Sequence, residues 1–476
     1  MHHGSDAVKV VCKAFFNAGT LPVFDYRDIR DKGAELITTG GQAPGPEPLR
    51  ICVDQLIALF RNAVGRKLKP VEVHDAACII ADAVLAGGIR RAAMICLFDR
   101  TDEEMLNCKA GDWWVTHPHR ARANNSAVLM RGEVTEQEFR DLIKRIEASG
   151  CGEPGVYWTN NKDWGTNPCC EIALRPYQMC NLTEINAGAI NNQREFNEAA
   201  SAAAFLGTLQ AGYTDFHYLN PKWRIACEKD ALLGVSMTGI ASGTIEKLDM
   251  EWASECVKET NAEVALRLGI RPAARTTCVK PAGTTSLVLG TSSGIHAWHA
   301  QYYIRRMRAG KDEALAQYMM KAAPGLVEQD VTKENQVVLS FPQAAPKGAV
   351  LRTESMLSLL ERVKNVSSKW VTTGHTKGEN QHNVSCTISV QDHEWGQLAD
   401  WMWENREFYN GISVMPHFGS TAYPQMPFED ITEEKYLELL PLLAAVDISK
   451  VFENDGKAID LAAELACAGG GCEIQF

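Results

Sequence analysis

The chain has no apolar run of the roughly eighteen residues that a membrane-spanning helix requires, so no such helix is expected. Its first residues, Met1-His2-His3-Gly4-Ser5-Asp6, lack a basic segment leading into an apolar one, which argues against a secretory signal. Positive charge is in deficit, with a formal net charge of −11. That balance argues against a nucleic-acid or anionic-membrane surface. A small anionic substrate is still allowed, because it needs only a local pocket rich in donors. Internal repeats and low-complexity tracts are also missing. What remains is ordinary for a globular protein: 476 residues, 45% hydrophobic and 22% charged, enough for one large domain or two to three smaller ones. Fifteen cysteines are an odd number spread through a long acidic chain. A secreted disulfide framework would be shorter and denser, so the expected setting is a reducing cytosol, with most thiols buried and a few redox-active.

The most informative stretch is Gly165-Thr166-Asn167-Pro168-Cys169-Cys170-Glu171-Ile172, with Cys180-Asn181-Leu182 after it. It follows an apolar run, Gly155-Val156-Tyr157-Trp158, that reads as a strand. Pro168 lacks an amide donor and biases Asn167 away from helix, which favours an extended tip. On extended backbone Asn167, Cys169 and Glu171 alternate onto one face, bringing together an amide, a thiol and a carboxylate. Taken as residues only, these cysteines also read as small buried hydrophobes. The Cys-x₁₀-Cys spacing from Cys169 to Cys180 is wrong for a zinc knuckle, where close Cys-x₂₋₄-Cys pairs are required.

Elsewhere, helices are predicted over Val8–Phe16, over 49–64, from His74-Asp75 to a stop at Gly87-Gly88, and over about 195–212 with Phe205, Leu206 and Leu209 on one side. Thr135-Glu136-Gln137-Glu138 reads as a capping box opening a helix that ends at Gly150, with Val134 and Phe139 as its hydrophobic staple. Met94–Phe98 and Asn383–Val390 read as strands. This alternation of strand and helix argues for an α/β architecture. In Cys278-Val279-Lys280-Pro281-Ala282-Gly283-Thr284-Thr285-Ser286, small and hydroxyl residues precede an apolar run. The pattern suits a helix N-terminus whose amides face an anion, or an ordinary N-cap. His296 and His299 read as satisfied polar histidines rather than metal ligands. The segment Cys467-Ala468-Gly469-Gly470-Gly471-Cys472 holds two thiols on glycine-rich chain, as thiol–disulfide exchange with a buried site requires; a metal clip is the rival reading.

The Asn-x-Cys-x-Glu tip followed by Cys180-Asn181-Leu182-Thr183-Glu184 resembles the finger loop of ribonucleotide reductases, most closely the adenosylcobalamin-dependent class. The segment Gly40-Gly41-Gln42-Ala43-Pro44-Gly45-Pro46-Glu47-Pro48-Leu49, the Ala86–Ala93 and Arg122–Val128 segments and the Pro281–Ser286 loop extend the likeness. The resemblance implies a ten-stranded α/β barrel around a central finger loop, and removal of a ribose 2′-hydroxyl by radical chemistry that needs a cofactor. By resemblance, Cys169 becomes the thiyl radical, Glu171 the general base on the 3′-hydroxyl and Asn167 the ribose anchor. Cys180 is then one of two reducing thiols. Pro281, Ala282, Gly283, Thr284, Thr285 and Ser286 would hold the phosphates of a ribonucleoside triphosphate or, less in keeping with the match, a diphosphate. Cys467 and Cys472 would re-reduce the site and then be reduced by thioredoxin or a similar dithiol.

The likeness runs from residue 6 to residue 476 but does not supply the family's first barrel strands, its effector site or its second reducing cysteine; Cys12 falls in a predicted helix. The resulting expectation is a C-terminal piece of a split or truncated cytoplasmic reductase that pairs with an N-terminal chain. It divides into a 1–22 remnant, a 23–447 partial barrel with its finger loop at 160–172, and a 448–476 dithiol tail. Cys170 departs from the family's Gly or Ser. Rival readings are an inactive or regulatory paralogue, a nucleotide- or cobalamin-binding module without turnover, and a zinc-thiolate structural protein.

Overall fold

A computed structural model describes residues 4–17, 19–34, 43–86, 89–90, 92–311, 313–331, 334–417 and 424–453. Cys467, Cys472, the helix expected near 456–466 and the Gly87-Gly88 stop lie outside the described residues. The described chain forms two units, one of residues 4–129 and 144–157, the other of 130–143 and 158–453.

In the first unit three helices, Gly4–Phe16, Glu47–Asn62 and Pro70–Asp82, share a core of Val11, Val53, Leu56, Phe60 and Ile79. The third begins earlier than its sequence suggested. Pro70 sits at the first helical position, where its missing amide costs nothing, and the Glu72 carboxylate accepts the Lys69 backbone N–H at 2.8 Å. His74 and Asp75 therefore lie inside the helix and are buried. Asp75 accepts two hydrogen bonds from Arg120, at 2.7 and 2.8 Å. Strands Met94–Asp99 and Ala123–Met130 pair in parallel, Met94 opposite Ala123. The helix Glu136–Ser149, whose opening turns belong to the second unit, carries the predicted capping box: the Thr135 N–H donates to Glu138 Oε2 at 2.8 Å, and the Glu138 N–H to Thr135 Oγ1 at 3.3 Å.

The second unit is built on parallel strands. Asn181–Asn186 pairs with Leu233–Thr238, Val235 bridges Thr277, Val279 bridges Val384, and Thr387–Val390 pairs with Gly411–Pro416. The strand expected at Asn383–Val390 is regular only from Thr387; residues 383–386 spend their hydrogen bonds elsewhere. Helices Gln193–Ala211 and Met250–Leu268 pack on each other. Asn261 Nδ2 donates to Thr208 Oγ1 at 2.9 Å between them. The first helix buries Ala200, Ala203, Ala204 and Gly207, while Phe205, Leu206 and Leu209 face outward. Those three share one side of the helix, as expected, and that side is the outward one because close helix approach selects the small residues. An antiparallel sheet, in the order Val327–Gln329, Gln336–Ala344, Tyr302–Gly310 and Phe428–Asp430, has its own core of Met319, Leu326, Leu339 and Leu439. The α/β reading stands with this sheet added. Among the described residues no helix is long and apolar enough to cross a membrane.

Candidate functional site

Residues 165–174 form a small finger. Its arms pair antiparallel, Gly165 with Leu174 and Thr166 with Ala173. Its tip is a turn: the Cys170 N–H donates to the Asn167 carbonyl at 2.9 Å, with Pro168 in the second position, where its fixed φ is favourable. The alternating extended tip expected from sequence is therefore corrected. Proline suits the second turn position as well as it suits extended chain, and Cys170 closes the turn in the left-handed region at φ 65°. The turn separates what alternation would have joined. Cys169 is exposed and Glu171 is wholly buried. Asn167 Oδ1 accepts the Ile172 N–H at 3.0 Å, which stiffens the descending arm.

A distant segment, 380–385, clamps the finger. Asn383 Nδ2 donates to the Cys170 carbonyl at 3.0 Å and to the Gly411 carbonyl at 2.8 Å. The Asn383 N–H donates to the Glu171 carbonyl at 2.9 Å, and Ser385 Oγ donates to the Cys169 carbonyl. Three successive carbonyls of the tip are thus held. His382 fixes the exit: its Nδ1 accepts the Ala173 N–H at 3.1 Å and its Nε2–H donates to the Leu233 carbonyl at 2.8 Å. Burial holds this imidazole well below its usual pKa, and the charge of Arg275 adds to the effect. The neutral ring is the form that both bonds need.

Glu171 is the least satisfied group in the site. Neither carboxylate oxygen makes a hydrogen bond of good geometry, and burial raises its pKa against the opposing effects of the nearby Asn167 side chain, its own backbone N–H and the Lys280 charge. Cys169 is raised as well, by desolvation of its sulfur and then by the charge of Glu171. Cys180 is pushed up to about 12, first by burial and then by Glu171. Residues 180, 182, 184 and 186 alternate onto one face of their strand. Glu184 on this face is also raised by burial, with the Thr285 hydroxyl and Lys280 opposing. Its Oε1, Asn186 Oδ1, Thr291 Oγ1 and Ser292 Oγ are buried without partners. Polar atoms left this way mark where a polar ligand would be received.

Gly234 lets the site close. A Cβ there would lie 2.7 Å from Leu182 Cδ2, 2.8 Å from Ile172 Cδ1 and 3.3 Å from Cys278 Sγ. Ile172 and Cys278, with Leu232 and Ala274, form the small apolar core against which Cys180 packs. The 281–286 loop follows directly. The Lys280 N–H donates to Ser236 Oγ at 2.9 Å, Gly283 and Thr284 are exposed, Pro281 and Thr285 are half-buried, and Ala282 and Ser286 are buried. Only one short helical turn, Thr285–Val288, succeeds it. The sequence-predicted residues Asn167, Cys169, Glu171, Cys180 and the 281–286 loop therefore all belong to the second unit. Sequence reasoning missed His382, Asn383, Ser385, Lys280, Glu184 and Cys278. The available signal was the density of amide and hydroxyl residues before the apolar Thr387–Val390 strand, which suits capture of backbone better than core packing. His296 is satisfied as expected: Nδ1 donates to the Ser293 carbonyl at 3.1 Å and Nε2 accepts the Thr387 N–H at 3.0 Å.

No family model matches the chain. It is similar to the probable adenosylcobalamin-dependent ribonucleoside-triphosphate reductase of Dictyostelium discoideum, at 27% identity over 94% of this chain and 60% of that protein. The adenosylcobalamin-dependent ribonucleoside-triphosphate reductase of Euglena gracilis is 28% identical over 91% of this chain and 61% of its own. That of Levilactobacillus brevis is 27% identical over 96% and 66%. The fold matches the crystal structure of a B12-dependent class II ribonucleotide reductase with a TM-score of 0.74 at 23% identity, over 90% of this chain and 64% of that one. The chain thus spans about three fifths to two thirds of the relatives that it matches. The likeness read from the finger loop is borne out by these relatives.

Proposed function

From a chain related to the adenosylcobalamin-dependent ribonucleoside-triphosphate reductases and sharing the fold of a class II enzyme, we propose a reductase of ribonucleotides, of triphosphates in the first place. The observation that carries this reading is a wholly buried and poorly satisfied carboxylate, Glu171, two residues from an exposed thiol, Cys169, on a loop whose carbonyls are fixed. Preorganised acceptors of this kind are worth most where charge or protons move.

Cys169, as a thiyl radical, takes the ribose 3′-hydrogen. Glu171 accepts the 3′-hydroxyl proton, and its raised pKa suits a group that must take up a proton and return it. Asn167 holds the ribose with the part of its amide not engaged by Ile172. Cys180 supplies one of the two reducing thiols, and the 281–286 loop with Lys280 receives the phosphates. Cys467 and Cys472 restore the dithiol and are themselves restored by a thioredoxin-like protein. Adenosylcobalamin, when bound, supplies the radical equivalent; Cys169 suits it because its surface is open, whereas Cys180 and Cys278 are closed in. That openness also supports the partner inferred from sequence: a radical-bearing thiol needs a cover, which the polypeptide matching the rest of the relatives' length would provide.

The test is ribonucleoside-triphosphate reduction with adenosylcobalamin and dithiothreitol, on this chain and on its mixture with that polypeptide. Turnover in the mixture, lost in Cys169→Ala and Glu171→Gln, is the expected result. Absence of turnover in both would overturn the reductase reading, and turnover by this chain unaided would overturn the need for a partner.

A further inference from the structure

The 281–293 segment leaves from one place on the second unit and returns to it. At its start the Lys280 N–H donates to Ser236 Oγ at 2.9 Å, and at its end the Gly294 N–H donates to Thr238 Oγ1 at 2.9 Å. Gly294 sits at φ 54°, and a Cβ there would lie 2.5 Å from the Lys280 carbonyl oxygen, so glycine is what lets the two ends meet. Ser236 and Thr238 stand opposite Glu184 and Asn186 in the register of their parallel strands. On the other side the Val279 N–H donates to the Asn383 carbonyl at 3.1 Å, and the Asn383 N–H to the Glu171 carbonyl at 2.9 Å. These bonds set Lys280 between the elements that carry two carboxyl groups, Glu184 and Glu171.

Neither carboxyl is matched. Glu184 Oε1 is buried without a partner, and both Glu171 oxygens lack a hydrogen bond of good geometry. Lys280 is half-buried, and no ion pair holds its ammonium among the described residues. Its charge acts all the same on Glu171 and Glu184, and on the thiols of Cys169, Cys180 and Cys278. We propose that Lys280 is a positioning residue that ties the acid–base state of Glu171 and Cys169 to occupancy of the 281–286 loop. With the loop empty, its ammonium serves the two carboxyls; with a polyphosphate seated, it turns to the anion. The proposal rests on the reading of that loop as the phosphate subsite.

A lysine suits this part because its ammonium is a compact charge on a flexible four-carbon stem. The stem is rooted at the residue before the loop, by the Ser236 bond and the Gly294 contact, so only the side chain is free to turn. In a site shielded from water, a charge that turns from one anion to another changes both interactions steeply. Lys280 holds Glu171 and Cys169 down against the burial that raises them. Its departure lets both rise, and the charge of the seated anion acts in the same direction. Glu171 is then most basic when a ribonucleotide is present to give up its 3′-hydroxyl proton, and least basic in the empty site. Glu184 responds with the same sign, and its unpartnered oxygen makes it the second claimant on the ammonium.

The test is the pH–rate profile for iodoacetamide alkylation of Cys169, whose exposed thiol the reagent can reach, in the full chain with and without inorganic triphosphate. The expected result is a profile moved by triphosphate to higher pH by about half a unit, a roughly threefold slower reaction at pH 8.5, with the high-pH plateau unchanged. Lys280→Met should show the moved profile before any triphosphate is added and respond little to it, while Lys280→Arg should behave as the unsubstituted chain. A plateau that falls without a shift means that the anion merely shields the thiol, and overturns the coupling. So does a shift of equal size in Lys280→Met. The comparison with and without triphosphate in the unsubstituted chain needs no variant to fold. Calorimetry on the same samples separates the two ideas. If triphosphate does not bind, the phosphate reading of the loop fails and the proposal with it; if it binds and the profile stays in place, only the coupling is overturned.

Discussion

At the scale of single residues, the acid–base state of Glu171 is the property most open to measurement. Its folded pKa is raised by burial, so the folded chain binds more protons than the unfolded chain between the ordinary carboxylate pKa and the raised one. Stability contributed by this group is present below the ordinary value and is lost as pH rises through that window. Glu171→Gln is therefore expected to stabilise the fold by about 1–2 kcal/mol at pH 8 and by little at pH 4, while abolishing turnover. Urea melts at the two pH values check it; equal effects at both would mean that the carboxylate is satisfied in solution. The residues proposed to react stand out in the sequence because Asn-x-Cys-x-Glu is local. Their geometry does not, because Pro168 is equally at home in an extended tip and in a turn, and the bonds that decide between them come from Asn383, more than two hundred residues away.

At the scale of elements, Gly234 and His382 set how the finger meets its neighbouring strands. Gly234→Ala brings a methyl against Leu182, Ile172 and Cys278, and overpacking of this kind costs about 1–3 kcal/mol. Leu182→Ala in the same chain should recover part of the loss, a non-additivity that a double-mutant cycle reads directly. Full additivity would place the strain elsewhere. His382 acts through protons with the opposite sign to Glu171. Its folded pKa is depressed, so stability is fully present above the ordinary histidine value near 6.5 and is lost as pH falls below it. His382→Gln should flatten the melting temperature between pH 5 and 7; an unchanged slope would assign the acid sensitivity to another group. The capping box at Thr135 was legible for the same reason that the finger motif was: both partners lie within one turn. Gln193–Ala211 was legible as a helix with Phe205, Leu206 and Leu209 on one side; that this side faces outward was not, because the small residues make the contact.

At the scale of the molecule, the thiol proposed for radical chemistry is exposed in a chain that spans three fifths to two thirds of its relatives. In the chain by itself, iodoacetamide at pH 8.5 should modify Cys169 several-fold faster than Cys180 or Cys278. If the proposed partner polypeptide covers the finger, its addition should remove that difference, as mass spectrometry of the alkylated peptides would show. Equal rates in the chain by itself would mean that the finger is already covered. This uncovered surface was not legible in the sequence, where Cys169, Cys170 and Cys180 read alike as small apolar side chains. Only the turn distinguishes one from the others.

The clamp on the finger also imposes an order in time. A ribosome makes residues 165–174 long before it makes 380–385, and until the later segment emerges the carbonyls of Cys169, Cys170 and Glu171 have no holders. Until then the finger has only its own local bonds, the arm pairing and the turn at Asn167–Cys170. The site comes into register only when Asn383 and Ser385 arrive, together with Asn410, whose N–H completes the Asn383 side chain at 3.1 Å. A nascent or C-terminally clipped chain would therefore hold every finger residue without the clamp that fixes the three tip carbonyls.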